Sequence, residues 1–234
     1  MSPENKNYRH EFKYLCSNAQ LELIKNRIEP LMSIDRHAKD NGSYQIRSLY
    51  FDDIYNTCFY ENEDGVDLRL KFRIRIYNHN SNVINLEIKE KVHGKALKHS
   101  CALTREQCEM LMNGIPLENS QSHPYILKKL CTVMRTRLMK PKVIVEYNRV
   151  PYVYKNGNVR ITFDRNISSS CDVTGFLNES VPFRPIMPVG QHILEVKYDE
   201  YLPDFINKQV QLNDLQFTNF SKYYLCMKYN LGGF

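Results

Sequence analysis

Residues Leu68–Tyr77 alternate without a break, with Leu68, Leu70, Phe72, Ile74 and Ile76 in one parity and Arg69, Lys71, Arg73 and Arg75 in the other. A strand sends residues two apart to the same face. This stretch therefore predicts a strand with a continuous aliphatic side and four cations in a row on the other. Like charges at that spacing repel, and an ordinary solvent face mixes its signs. The row therefore predicts a compensating negative partner.

The same alternation recurs. Arg9, Glu11 and Lys13 share a face in Tyr8–Tyr14, as do Glu87, Lys89 and Lys91 in Val83–Val92. Arg160, Thr162 and Asp164 share a face in Asn158–Arg165, and Glu195 with Lys197 in His192–Tyr198. Each charged face has apolar residues opposite. A half-exposed sheet, apolar inside and charged outside, is the plain reading of one such strand. Five of them, beside several helices that also need an apolar surface to cover, read better the other way round. The apolar faces then point outward under helices and the charged faces inward. An interior of Arg and Lys is costly unless anions compensate it, and Arg offers a planar fork that matches phosphate oxygens. A slender polyanion fits such a hollow; double-stranded nucleic acid does not. The faces opposite the charges are mostly aliphatic, which disfavours RNA binding by exposed stacking aromatics.

The predicted order is a strand over Tyr8–Cys16, a helix capped by Ser17 and ending near Glu29 before Pro30, and a turn at Asp40-Asn41-Gly42. Strands follow over Tyr44–Phe51, Leu68–Tyr77, Val83–Val92 and Ala96–Leu103, with a hairpin loop over Asn78–Asn82 and a turn at His93-Gly94. Thr104 with Gln107 forms a capping box for a short helix, and Pro124 opens a helix running to about Met139. Lys142–Tyr154 and Asn158–Ile167 flank an Asn156-Gly157 hairpin turn; His192–Tyr198 is a late strand. Two short helices close the chain, near Pro203–Leu212 and Ser221–Tyr229, before a tail Gly232-Gly233-Phe234. This is not βαβ alternation. The expectation is an α+β fold: a closed antiparallel β-barrel of about eight strands forming a tunnel, with helices packed on the outside, and residues 1–234 as a single domain.

The chain has 234 residues and a net charge of +6, too mild to define a class. Its seven cysteines form no CxxC pair and read as small buried thiols in a reducing cytoplasm. Met1–Tyr8 is polar and no apolar run reaches membrane-span length, so neither a secretory signal nor a membrane span is expected.

Seven short pieces, in order, resemble the VTC domain, the polyphosphate-polymerase branch of the triphosphate tunnel metalloenzyme (CYTH-like) superfamily. They are Glu11-Phe12-Lys13-Tyr14, Ser48-Leu49-Tyr50-Phe51-Asp52, Arg73-Ile74-Arg75-Ile76-Tyr77, Glu87-Ile88-Lys89, Val159-Arg160-Ile161-Thr162-Phe163-Asp164, Leu194-Glu195-Val196-Lys197 and Phe220-Ser221-Lys222-Tyr223. The resemblance implies an eight-stranded tunnel and transfer of the terminal phosphate of ATP to inorganic polyphosphate with Mn²⁺ or Mg²⁺. It implies that Lys13, Arg73, Arg75, Lys89, Lys98 and Arg160 bind phosphate. Glu195 is the implied metal ligand, and on the charge pattern Glu11 or Glu87 could assist it. Lys222 is the implied basic residue entering the tunnel from the C-terminal helix, where helical pattern alone puts it on a solvated face. Arg73, Arg75, Lys222 and Glu195 are the expected catalytic group. Arg9, Arg69 and Lys71 extend the basic row with no assigned role, and Tyr50 and Asp52 have the parity to line the tunnel. On the length of this sequence, neither the regulatory domain nor the membrane anchor of the yeast proteins with this domain is expected. If water replaces the phosphate acceptor, the same site is a triphosphatase; a catalytically silent polyphosphate-binding module is the other reading.

Overall fold

The computed structural model describes residues 8–38, 41–212, 215–219 and 221–232. Most of the polar N-terminus, Asp40 of the expected turn, Phe220 of the last motif, and Gly233 and Phe234 of the tail lie outside the described residues.

The strands are β1 (His10–Ser17), β2 (Ser33–Ile34), β3 (Tyr44–Asp52), β4 (Arg69–Tyr77), β5 (Asn80–Val92), β6 (Lys95–Leu103), β7 (Lys140–Tyr154), β8 (Val159–Ser170), β9 (Arg184–Pro185), β10 (Gln191–Tyr198) and β11 (Gln216–Phe217). The helices are α1 (Asn18–Ile28), α2 (Thr57–Glu63), α3 (Arg105–Met112), α4 (Tyr125–Thr136), α5 (Asp204–Val210) and α6 (Lys222–Asn230). One antiparallel sheet runs β11-β1-β10-β8-β7-β3-β4-β5-β6, with β2 added to β7 and β9 to β8.

The expected eight long strands are present, but the sheet is curled rather than closed into a barrel. Its outermost long strands, β1 and β6, share no ladder. They meet at one bridge, where Arg9 and Ala96 exchange backbone hydrogen bonds of 3.0 and 3.1 Å. The reason is local. The edge of β1 is taken by β11, in register Tyr14↔Phe217 and Leu15↔Gln216, and the Thr218 N–H donates to the Lys13 carbonyl at 2.9 Å. Those pairings occupy backbone groups that a β1–β6 ladder would need.

The faces follow the parity argument. Outward residues Ile161, Phe163, Leu194 and Val196 form an apolar cluster with Leu21, Ile24 and Ile28 of α1 and Ile206 of α5. Ile74, Leu86 and Ile88 belong to a second cluster with Leu111 of α3 and Leu127 and Leu130 of α4. Burying each such side chain contributes about 1.5–3 kcal/mol, so helix cover fixes which face turns inward. The exception is α6. It packs against α2, β7 and β8, and its first residue, Lys222, reaches the charged face.

The capping boxes at Ser17/Gln20 and Thr104/Gln107 form as expected, and α1 ends with Glu29 as its C-cap, before Pro30. Three expectations shift. The β4–β5 loop is a two-residue turn, Asn78-His79, both left-handed (φ 51° and 55°), rather than five residues. The β7–β8 connection spans residues 155–158, with the backbone turned at Gly157 (φ 73°). The fourth helix ends at Thr136 because Leu138 is left-handed (φ 51°). The short α2 was not expected. Its N-cap Asn56 makes no side-chain cap. Instead Asp52, fully buried at the end of β3, accepts from the backbone N–H groups of Cys58 and Phe59 at 2.9 and 3.1 Å and from the Tyr223 hydroxyl on α6.

Asp52 thus ties a strand end to two helices. Asp52→Ala leaves buried donors unpaired and should cost about 2–4 kcal/mol in urea unfolding; a change within about 0.5 kcal/mol, the range of ordinary surface substitutions, would show that this junction carries no stability.

Candidate functional site

The charged faces of β1, β4, β5, β7 and β10 converge with the N-terminus of α6 on one cavity of about 140 Å³. Ten cationic side chains line it: Lys13 from β1; Arg69, Lys71, Arg73 and Arg75 from β4; Lys89 and Lys91 from β5; Arg149 from β7; Lys197 from β10; and Lys222 from α6. Among the described residues two carboxylates line it, Glu11 and Glu195. Even with Glu87 and Asp164 immediately behind the wall, positive charge is in excess, so the cavity is built for an anion.

The four carboxylates set the geometry. Glu87, 2% exposed, takes Arg73 Nε at 2.7 Å and Nη2 at 2.6 Å, with Arg75 Nη1 at 3.7 Å and Lys98 Nζ at 3.0 Å. Asp164 takes Arg149 through a two-pronged contact of 2.6 and 2.7 Å and Lys222 at 2.6 Å. Glu11 contacts Lys13 and Lys89 at 2.7 Å. Glu195 sits 3.0 Å from Arg149 and 3.2 Å from Lys197. Lys13 and Lys197 each reach both Glu11 and Glu195.

Burial raises the pKa of all four carboxyls, yet neighbouring cations outweigh it. Lys13, Lys197 and Lys89 hold Glu11 well below its ordinary value, while Lys197, Lys222 and Arg149 hold Glu195 at about 2 despite the opposing charge of Glu11. Arg73, Arg75 and Lys98 lower Glu87, and Arg149 and Lys222 lower Asp164. Lys222 moves up against its own burial because Asp164 faces it.

Of the residues singled out from sequence, Glu11, Lys13, Arg73, Arg75, Lys89, Glu195 and Lys222 come together around the cavity. Glu87 and Lys98 stand one layer back and reach it through Arg73 and Arg75. Arg160 has the inward parity but lies off the cavity wall, 2.9 Å from Asp35 and 2.7 Å from the Tyr44 hydroxyl. Tyr50 does line the cavity, 2.9 Å from Arg73 Nη1, whereas Asp52 caps α2.

Sequence reasoning missed Arg149 and Tyr147. Tyr147 lines the wall between Arg75, at 3.4 Å, and Lys222, whose ammonium lies 4.8 Å from the ring centroid. Their signal was present: Val143, Val145, Tyr147 and Arg149 share a parity, but one charge among apolar residues announces nothing.

Among the described residues no three His, Cys, Asp or Glu side chains gather as a metal-binding group. The pair Glu11 and Glu195 nevertheless suits a hard divalent ion. Both are ionised, both face the cavity, and Mg²⁺-type sites commonly take one or two carboxylates with phosphate oxygens completing the shell. Glu87 fits less well, its oxygens already engaged by three cations.

Residues 8–230 match the VTC domain family. A search of curated protein sequences finds no match. Among solved structures, a Hippeastrum protein named as an adenylyl cyclase and described as having a dominant triphosphatase activity is 13% identical over 97% of both chains, with a TM-score of 0.50. The PH1819 protein of Pyrococcus horikoshii OT3 is 14% identical over 95% of this chain and 99% of its own, with a TM-score of 0.49. At such identities the Hippeastrum likeness speaks for the fold.

The lowered carboxyls predict a pH profile. A group with a depressed folded pKa stabilises fully above its unfolded value, about 4.3 for Glu, and that stability fades as pH falls through the folded value. The melting temperature should therefore drop between about pH 5 and pH 2. In Glu195→Gln that drop should be smaller; an unchanged profile would remove Glu195 from the ion-pair network.

Proposed function

The chain belongs to the VTC domain family, and from that premise and the cavity we propose that it is a polyphosphate polymerase, transferring the terminal phosphate of ATP to a growing inorganic polyphosphate chain with Mn²⁺ or Mg²⁺. The observation that carries the reading is the convergence of ten cations and two ionised carboxylates on one narrow hollow. Of the seven free cysteines five are buried as expected, while Cys101 is half-buried and Cys171 exposed; free thiols accord with work in a reducing cytoplasm.

Phosphoryl transfer through a loose transition state needs positioning and charge neutralisation more than covalent help. Arg73 and Arg75 share one face of β4, the guanidinium of Arg73 held by Glu87 and that of Arg75 by the Ser48 and Tyr147 hydroxyls, so their remaining N–H groups can grip phosphate oxygens without first being ordered. Lys13, Lys89 and Lys197 line the wall beside the Glu11–Glu195 pair, which would hold the divalent ion. That ion, when bound, supplies neutralisation of phosphate-oxygen charge. Lys222, fixed by Asp164 and kept protonated, presents a cation from α6 opposite the sheet. In this reading these groups hold a triphosphate extended, with the end of a second phosphate chain in line as acceptor. Lys98 and Arg160 have supporting places, Lys98 through Glu87 and Arg160 on the inner face beyond the cavity wall.

Purified protein with ATP and Mn²⁺ should yield long polyphosphate and ADP. Release of orthophosphate without polymer would replace synthesis by hydrolysis, and binding of tripolyphosphate without turnover under any divalent ion would leave a binding module. Arg73→Ala or Arg75→Ala should each slow turnover on the order of a hundredfold, the loss of a charge-assisted contact; wild-type rates would contradict their placement. Glu195→Gln should shift the metal titration to higher concentration, and an unmoved titration would take Glu195 out of the metal site.

A further inference from the structure

Four lysines of the cavity wall have carboxylate partners; among the described residues Lys71 and Lys91 have none within ion-pair distance, and Lys71 is the more deeply buried of the two. Lys13 and Lys89 touch Glu11, Lys197 touches Glu11 and Glu195, and Lys222 touches Asp164. Lys71 touches only neutral oxygens, Asn62 Oδ1 at 2.9 Å and Ser221 Oγ at 2.8 Å. Among the described residues no carboxylate comes within ion-pair distance of it. Its charged surroundings are cationic: Arg69 on its own strand, Lys89 directly opposite in register on β5, and Lys13 from β1. From α2 it faces the Cys58 thiol, kept neutral by burial and Asp52, and from α6 the Tyr223 ring.

We propose that Lys71 takes its counter-ion from the ligand: it holds its proton only loosely in the empty cavity, is fully protonated as a polyphosphate chain enters, and then holds one of its phosphate oxygens. The inference rests on the polyphosphate reading of the cavity and adds to it a proton taken up on binding.

The geometry accounts for both states. A neutral amine has two N–H bonds, and Asn62 and Ser221 accept both. An ammonium has a third, for which no described residue supplies an anion and a phosphate would. An uncompensated cation beside three others is disfavoured: burial, then Lys13, Lys89 and Arg69, push Lys71 down to about 7. An arriving polyanion reverses the sign of that field and restores the charge. The binding site thus sheds one charge when empty and recovers it when filled. Its affinity should fall as pH rises above about 7, by up to tenfold per unit, until the bound-state value is passed.

The test is calorimetric titration of ATP into the protein about one unit above that value, with divalent ions chelated so that nothing turns over, in buffers of different ionisation enthalpy. ATP is fully ionised there, so proton uptake reports the protein. Wild type should take up protons on binding, and Lys71→Arg, permanently charged, should still bind while uptake falls by roughly one proton. Wild type binding ATP without proton uptake, or undiminished uptake in Lys71→Arg, overturns the assignment while leaving the polyphosphate reading intact. If ATP does not bind wild type at all, both fail. A matching melting curve for Lys71→Arg separates the effect from misfolding.

Discussion

The structure depends on an enforced proximity of like charges. The outer faces of the strands are aliphatic and covered by α1, α3, α4 and α5, so the Arg and Lys rows have nowhere to go but inward. Buried cations on that scale would cost several kcal/mol each without partners. Glu87, Asp164, Glu11 and Glu195 supply part of the compensation, each shared between two or more cations. Among the described residues Arg69, Lys71 and Lys91 have no carboxylate within ion-pair distance, and Arg69 and Lys71 contact only neutral oxygens. That imbalance gives the cavity its character: the fold holds the cations in place and leaves a net positive charge that an anion would compensate.

The carboxylates divide into two kinds. Glu87 and Asp164 stand behind the wall and fix guanidinium and ammonium groups that face the cavity, which is preorganisation for phosphate oxygens. Glu11 and Glu195 face the cavity themselves and share lysines, which suits the exchange of some ammonium charge for a divalent ion. The C-terminal helix matters because it breaks the rule that helices cover the outside. Tethered through Tyr223 to Asp52, it delivers Lys222 to the charged face opposite β4.

Parity made most of the fold legible, because one-residue alternation fixes face regardless of tertiary detail. It found the rows on β1, β4, β5, β8 and β10 and the outward faces that the helices cover. It could not give depth. Arg160 has the inward parity, but the curl of the sheet carries it past the cavity to Asp35 and Tyr44. Closure was equally unreadable: whether β1 meets β6 turns on β11, a two-residue strand with no periodic signal. Helix α2 escaped notice because Asp52, outside the helix, caps it, and Asn62 on that helix came with it as a partner of Lys71. Arg149 was hidden for the opposite reason, a lone charge in an apolar run whose meaning appears only beside Asp164 and Glu195.

The most direct measurement of the central claim is a structure of the protein crystallised with tripolyphosphate. The account predicts a phosphate chain threaded inside the curled sheet, with oxygens against Arg73, Arg75, Lys89 and Lys222 and the Glu11–Glu195 pair alongside. Phosphates seated on the outer surface, or a filled hollow in which Arg73 and Arg75 still engage only Glu87 and neighbouring side chains, would contradict it.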